Sequence, residues 1–407
     1  MQSRIVDRRS VYSLVFARVI YAINFYNIAP LFAMVALDLH QSVYGLALIT
    51  STFYIGFGLF LVPSGILAAR LAPRPIAVLG TAVASAASLS VAFATDLVQI
   101  ALLRLIVGLG MAFFYAPSVT LISRTVQRGS EGVAVGLYNS AFYLGGLVGL
   151  FAWGVVGELI GWRASILFSG VLGLASAAIL AVVLPREAKR VGFRVRLSSL
   201  KNVLFDRWLV ILGIAMMALG VSFTLFTSFI PFYAQQELGL QSVLAGPLGG
   251  IPLLVALLGS PVAGRIYDSV FNVRRLLLYS GVFMVFGSVL LCLFSVGAAV
   301  FAGVIIGIGS AGFTIALCCV RDSGVEPEYE ALAVGWANGL SQLGAFVPPL
   351  VFSTVVLGYG YPLGWLSGGI MTIVLLVPLL FAKMPVRKIR SSALTSATPK
   401  RSPAQPS

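Results

Sequence analysis

The chain has 407 residues, 59% hydrophobic and only 10% charged, with a mean hydropathy of +1.01. A soluble globular chain carries about 25% charged residues, so an ordinary soluble enzyme and any large soluble catalytic module are excluded. The formal charge of +14 would suggest nucleic acid in a soluble chain, but its distribution along this one is that of a membrane protein, and no nucleic-acid partner is expected.

In chain order, apolar runs predict spans near 11–36, 44–69, 75–95, 97–121, 131–157 and 162–184, then 208–235, 243–265, 274–296, 297–320, 331–357 and 361–383. At roughly 20 apolar residues per span, twelve helices use almost the whole chain. The runs are continuously apolar, whereas barrel strands alternate every second residue over about ten positions. The expected fold class is therefore an all-α membrane protein with twelve transmembrane helices in two six-helix bundles. Arg4, Arg8 and Arg9 ahead of the first run imitate a secretory signal. That run is too long and lacks a small-residue cleavage pattern, so it reads as a retained first span.

Between the sixth and seventh spans lies PREAKRVGFRVRLSSLKNVLFDRW, the one long polar connection inside the chain. Leu197, Leu200, Val203 and Leu204 recur at helical spacing beside Lys201 and Arg207. Two readings stand: an interfacial helix, or a flexible linker whose bases enforce topology. From about residue 391 the tail is rich in Ser, Thr, Pro and Ala without apolar period, and disorder is expected. The organisation expected is a first half at 1–184, a basic linker at 185–207, a second half at 208–384 and a tail at 385–407.

Arg4, Arg8, Arg9, Arg70, Arg74, Arg124, Arg128, Arg265, Arg274, Arg275 and Arg321 fall at the termini or on connections of one side, with the basic linker. The opposite connections carry Asp38, His40, Asp96, Glu158 and Glu237, and Arg163 as their strong base. Positive charge stays inside, which places both termini in the cytoplasm, with anionic lipid head groups as a partner. Cys292, Cys318 and Cys319 sit in apolar runs without paired spacing and read as packing residues, so neither metal nor cofactor is expected.

Self-comparison gives an internal repeat. Glu131 to Asn139 recurs as Glu330 to Asn338, a shift of 199 residues, and at that shift Gly65 meets Gly264, Gly108 meets Gly307, Gly110 meets Gly309 and Gly145 meets Gly344. One shift holding over separate regions makes the chain two homologous halves. Gly307, Gly309 and Gly312 formally match a dinucleotide-binding glycine pattern, but inside an apolar helix they have neither the strand nor the tight turn that chemistry needs.

The connection after span two reads Gly65, Ile66, Leu67, Ala68, Ala69, Arg70, Leu71, Ala72, Pro73, Arg74, and its counterpart runs from Gly264 and Arg265 to Asp268, with Arg274 and Arg275 following. With the two halves and the basic central loop, these residues resemble the signature loops of the major facilitator superfamily. Arg104 to Gly108 and Gly161, Trp162, Arg163 support the resemblance. It implies a secondary transporter of a small-molecule substrate, working by alternating access as a monomer in the cytoplasmic membrane, and not an enzyme. It also implies a gate, in which Gly264 and Asp268 act with Arg321 and Glu330. In the first half Ala69 replaces the acid, so the latch at Gly65 would rely on Glu131 with Arg70, Arg74 or Arg124. Span five lacks the Gly-Pro pair of the family's antiporter motif, and exchange is not inferred from it.

Ionisable groups deep in a span are functional candidates because hydrocarbon penalises them. Arg18 and Arg104 are two, and the repeat gives Met217 and Gly303 in their places. No acid lies near the middle of any span, so a small anion, an organic carboxylate or inorganic oxyanion, is the expected substrate. Alternatives stand beside this: Arg18 snorkels to the interface, or Arg104 is structural and bonds carbonyls or span one. At about 1.5 Å per residue the two arginines differ in height by about 10 Å, and act in series rather than on one small anion. Tyr21, Asn24, Asn139, Tyr143, Asn338 and Gln342 complete the candidate substrate site, with Tyr26, Asn27, Thr224 and Thr227 as further hydrogen-bonding groups. Efflux of apolar or cationic compounds is the competing function. A non-transporting receptor would need a signalling domain that the short connections do not offer.

Overall fold

The computed structural model describes residues 8–125, 131–185, 197–269, 272–321, 325 and 330–382. Its helices, in chain order, are α1 (Arg8–Phe25), α2 (Phe32–Asp38), α3 (Val43–Arg70), α4 (Pro73–Val91), α5 (Leu97–Thr125), α6 (Glu131–Val183), α7 (Leu197–Leu204) and α8 (Arg207–Gln236). The second half continues with α9 (Ser242–Ser269), α10 (Val273–Leu290), α11 (Val296–Gly309), α12 (Ala311–Arg321), α13 (Glu330–Gly344), α14 (Val347–Tyr359) and α15 (Tyr361–Phe381). Among the described residues ten stretches are long and apolar enough to cross a membrane, and the one over Gly136–Val183, at 48 residues, is long enough to cross twice. Adding the broken pass α1–α2 gives the expected twelve.

The boundaries differ from expectation where local chemistry overrides the apolar run. The first span, expected unbroken over 11–36, unwinds between Phe25 and Phe32, around Pro30. Spans five and six, expected as separate helices, are joined in α6 by a single corner at Gly161, whose φ of 79° and ψ of 162° suit a residue without Cβ. Its repeat counterpart Gly360 has φ 84° and ψ 172° and makes the same corner between α14 and α15. His40 (φ 51°) and Gly239 (φ 66°) are likewise 199 residues apart, so the repeat is one of backbone conformation as well as sequence.

The basic residues assigned to topology also close helix ends. The Arg74 guanidinium donates to the Ala181 carbonyl in the last turn of α6, and Arg274 donates to the Leu380 and Ala382 carbonyls at the end of α15. A cation there satisfies orphan carbonyls and the negative end of the helix dipole. Arg163, just past the Gly161 corner of α6, pairs with Asp38 at 2.8 Å and donates to the Ala92 and Ala94 carbonyls, tying that corner to the C-terminal ends of α2 and α4. Of the two readings of the linker, its end at Leu197–Leu204 is helical, α7, with Val203 buried and Lys201 exposed. The tail expected at 385–407 and most of the linker before α7 lie outside the described residues.

The halves touch along α3 against α13 and α14, and along α6 against α9. At one end of the α6–α9 pair, a Cβ on Gly246 would lie 2.2 Å from the Leu150 carbonyl oxygen, and one on Gly154 would lie 2.7 Å from that of Ser242. Eighteen residues away on each helix, five turns along the same face, a Cβ on Gly136 or Gly264 would meet nothing within 4 Å among the described residues. Along this seam the halves are close-packed at the end carrying Asp38 and Glu237 and, at these glycines and among the described residues, splayed at the end carrying Arg70 and Arg265.

Candidate functional site

Unwinding α1 frees backbone groups in the middle of the protein, where each must find a partner. Trp153, buried in α6, donates its indole N–H to the Ile23 carbonyl at 2.9 Å. The break itself presents Asn27 to Arg104. Arg104 is buried in α5, its Nη1 donates to Asn27 Oδ1 at 3.2 Å, and its guanidinium lies over the Phe53 ring at 4.7 Å. Nε has no hydrogen-bond partner. Asn27 in turn donates to Ser88 Oγ and Ser169 Oγ, and Ser169 donates to Asn24 Oδ1 at 2.6 Å.

A small cavity beside Arg104 is lined by Tyr26, Thr50, Phe53, Tyr54 and, from the second half, Ser228. Tyr54 and Thr224 share a hydrogen bond of 3.4 Å across the halves just beside it. Arg104 thus lies between the halves, near the packed end.

Arg18 occupies a different pocket. Its guanidinium sits 4.5 Å from the Tyr21 ring, 4.8 Å from Tyr115, 4.9 Å from Tyr138 and 4.6 Å from Phe142. It is 5% exposed and does not snorkel. Nε and Nη1 have no hydrogen-bond partner. Phe25, the last residue of α1, separates the two arginines: its ring is 4.7 Å from that of Phe53, beside Arg104, and 5.5 Å from that of Phe142, beside Arg18. Among the described residues neither arginine has a carboxylate partner.

The remaining candidates scatter. Tyr21 joins the Arg18 cage, whereas Asn24 points into the first bundle toward Ser169. Tyr143 meets Ser260 of α9 across the halves. Gln342 donates to Asn338 at 3.3 Å within α13, and both are partly buried, as is Asn139. Of the gating candidates, Gly65, Arg70 and Gly264 lie at the splayed end, with Arg74 engaged on α6. The side chains of Glu131, Asp268, Arg321 and Glu330 are outside the described residues. Ser88, Ser169, Phe53, Tyr115 and Tyr138 were not among the candidates. Their one trace in the sequence is the every-third-residue run Arg18, Tyr21, Asn24, Asn27, which marks a polar stripe needing partners.

Residues 14–320 match the family model described as Major Facilitator Superfamily. The chain is 25% identical over 350 residues to the nitrite extrusion protein of Bacillus subtilis (strain 168), covering 84% of this chain and 85% of that protein. It is 24% identical over 397 residues to the multidrug efflux protein YfmO of the same organism, covering 94% and 95%. The solved structure of the nucleoside transporter NupG superposes with a TM-score of 0.76 at 13% identity, over 91% of this chain and 99% of that one, a likeness of fold.

Proposed function

The chain belongs to the major facilitator superfamily and is a multi-pass membrane transporter, and on that premise we propose that its substrate is a small oxyanion bound at Arg104. The observation that carries this is a buried guanidinium between the halves whose neighbours are an amide, hydroxyls and aromatic rings, with no carboxylate among the described residues. Such a cation is costly in hydrocarbon unless a ligand supplies the charge. The name of the nitrite-exporting relative supports the same chemistry.

In this reading, supported by the distribution of the basic residues, both termini face the cytoplasm and the splayed end opens there, an inward-facing conformation. Rocking the halves closes Gly136 onto Gly264 and parts Gly154 from Gly246, which carries Arg104 from one side's access to the other's. In this reading Asn139, Tyr143, Asn338 and Gln342 line the route, Tyr21 and Asn24 hold the first bundle's polar stripe, and Gly65, Arg70, Arg74, Glu131, Gly264, Asp268, Arg321 and Glu330 form the inner gate. The basic linker and α7 rest on anionic lipid, and the chain works as a monomer.

The test is flux of nitrite and nitrate into proteoliposomes. Arg104→Gln is expected to reduce it about 100-fold, which corresponds to about 2.7 kcal/mol of lost transition-state interaction, with Arg104→Lys retaining part. Unchanged flux in a folded Arg104→Gln protein overturns the reading. A second reading, efflux of apolar or cationic compounds, is favoured by the aromatic cluster around Phe25 and by the likeness to YfmO, and drug susceptibility of a deletion strain separates the two.

A further inference from the structure

The Arg104 reading leaves Arg18 unused, and four observations set it apart. It is buried without a carboxylate partner among the described residues. Aromatic rings from α1, α5 and α6 surround it, a π environment with few hydrogen-bond acceptors, the phenols of Tyr21 and Tyr138 being those within its reach among the described residues. Nε and Nη1 remain without a partner, although a buried N–H is costly to leave unpaired. The cage is also not sealed, because Tyr115 and Phe142 are partly exposed.

The fold itself does not require this cation. The repeat places Met217 where Arg18 stands, and its thioether packs into the space left by Gly344. A charge kept in one half only, ringed by π faces and holding free donors, is suited to an anion that arrives and leaves. Electron-rich rings stabilise the guanidinium between visits without competing for its N–H groups, as a permanent carboxylate would.

We infer that Arg18, with Tyr21, Tyr115, Tyr138 and Phe142, forms a second oxyanion site, separated from Arg104 by Phe25 and reached from the splayed end. The inference rests on the anion reading of Arg104. The chain then holds two sites in series along α1: Arg104 between the packed ends, and Arg18 on the side open in this conformation. An anion leaving Arg104 passes Phe25 to a second guanidinium rather than directly to water. Phe25 ends α1 at the break, packed against the rings of both pockets, so an anion passing between them must displace this one side chain.

The experiment is thermal denaturation of the purified full-length chain with sodium nitrate, against sodium gluconate at equal ionic strength, the latter an anion too bulky for either pocket. Nitrate is expected to raise the melting temperature of the wild type, and Arg104→Gln and Arg18→Gln are each expected to keep roughly half of that rise, because each loses one of two linked sites. The double variant keeps none. Should Arg18→Gln fail to fold, Arg18→Lys retains the charge and the cage, and its nitrate response is expected to fall relative to wild type. Loss of the whole response in Arg104→Gln alone, or its persistence in the double variant, overturns the second site. So does a wild type that transports nitrate with no thermal response, a result that leaves the Arg104 reading standing. Loss of flux in Arg104→Gln is scored separately, so the two readings fail on different measurements.

Discussion

The two halves share one backbone plan and differ in what they bury. At the 199-residue shift, Asn27 becomes Phe226, Arg104 becomes Gly303, and Ser88 and Ser169 become Gly287 and Gly368. The substitution is spatial as well as sequential. A Cβ on Gly303 would meet the tip of the Phe226 ring at 2.9 Å, so an aromatic ring in the second half occupies the room that a guanidinium and its amide partner use in the first. The rings around Arg18 have Gly220, Thr314, Ala337 and Ser341 as counterparts, all small. One scaffold thus accommodates either a hydrogen-bonded cation or an apolar plug at the same place. The first half holds the buried cations and their polar partners, and the second faces them with a mostly apolar wall.

The sharpest way to break this comparison is to exchange the pair. Gly303→Arg alone forces a long cation against Phe226 and Ile251, and is expected to cost more than about 4 kcal/mol and abolish monodisperse protein on gel filtration. Adding Phe226→Asn recreates the first half's pair and is expected to restore much of the yield. No rescue would mean that the halves are alike in trace only.

Next in size is Asn27→Asp, which gives Arg104 a permanent carboxylate. If the arginine serves the ligand, flux falls at least about tenfold while the melting temperature holds or rises; if it is structural, both hold. Gly246→Ala and Gly264→Ala compare the two ends of one helix. The first drives a methyl into the Leu150 carbonyl and is expected to cost about 1–3 kcal/mol in thermal denaturation, while the second is expected to stay within about 0.5 kcal/mol. The smallest effect belongs to Arg163→Gln, whose ion pair with Asp38 is 40% exposed at the arginine and 45% at the aspartate. A loss of at most about 1 kcal/mol is expected, seen as a slight fall in melting temperature.

The sequence carries twelve passes and their duplication openly, because hydropathy and self-similarity are properties of the chain alone. It carries the break in α1 only faintly: Pro30 sits within a run whose apolar continuity argues for an unbroken helix. The partners of the buried arginines are harder still. Arg18 meets Tyr115 and Tyr138, and Arg104 meets Asn27 and Phe53, over separations that only the packed bundle closes. Arg18 and Arg104 stand apart in the bundle, with Phe25 between them. Arg163, a charge that topology leaves over, is explained by Asp38 on a different span and by the free carbonyls at the end of α4.

The corners at Gly161 and Gly360 have a practical meaning for anyone handling this protein. Each turns the chain between two passes at one residue, leaving no slack segment on that face between them. A protease needs an extended stretch of substrate to fit its cleft, and an inserted epitope needs flanks that give, and neither corner offers these. Tags and cleavage sites belong at the opposite, basic face. A reporter spliced in at residue 161 or 360 would pry apart two helices rather than decorate a loop.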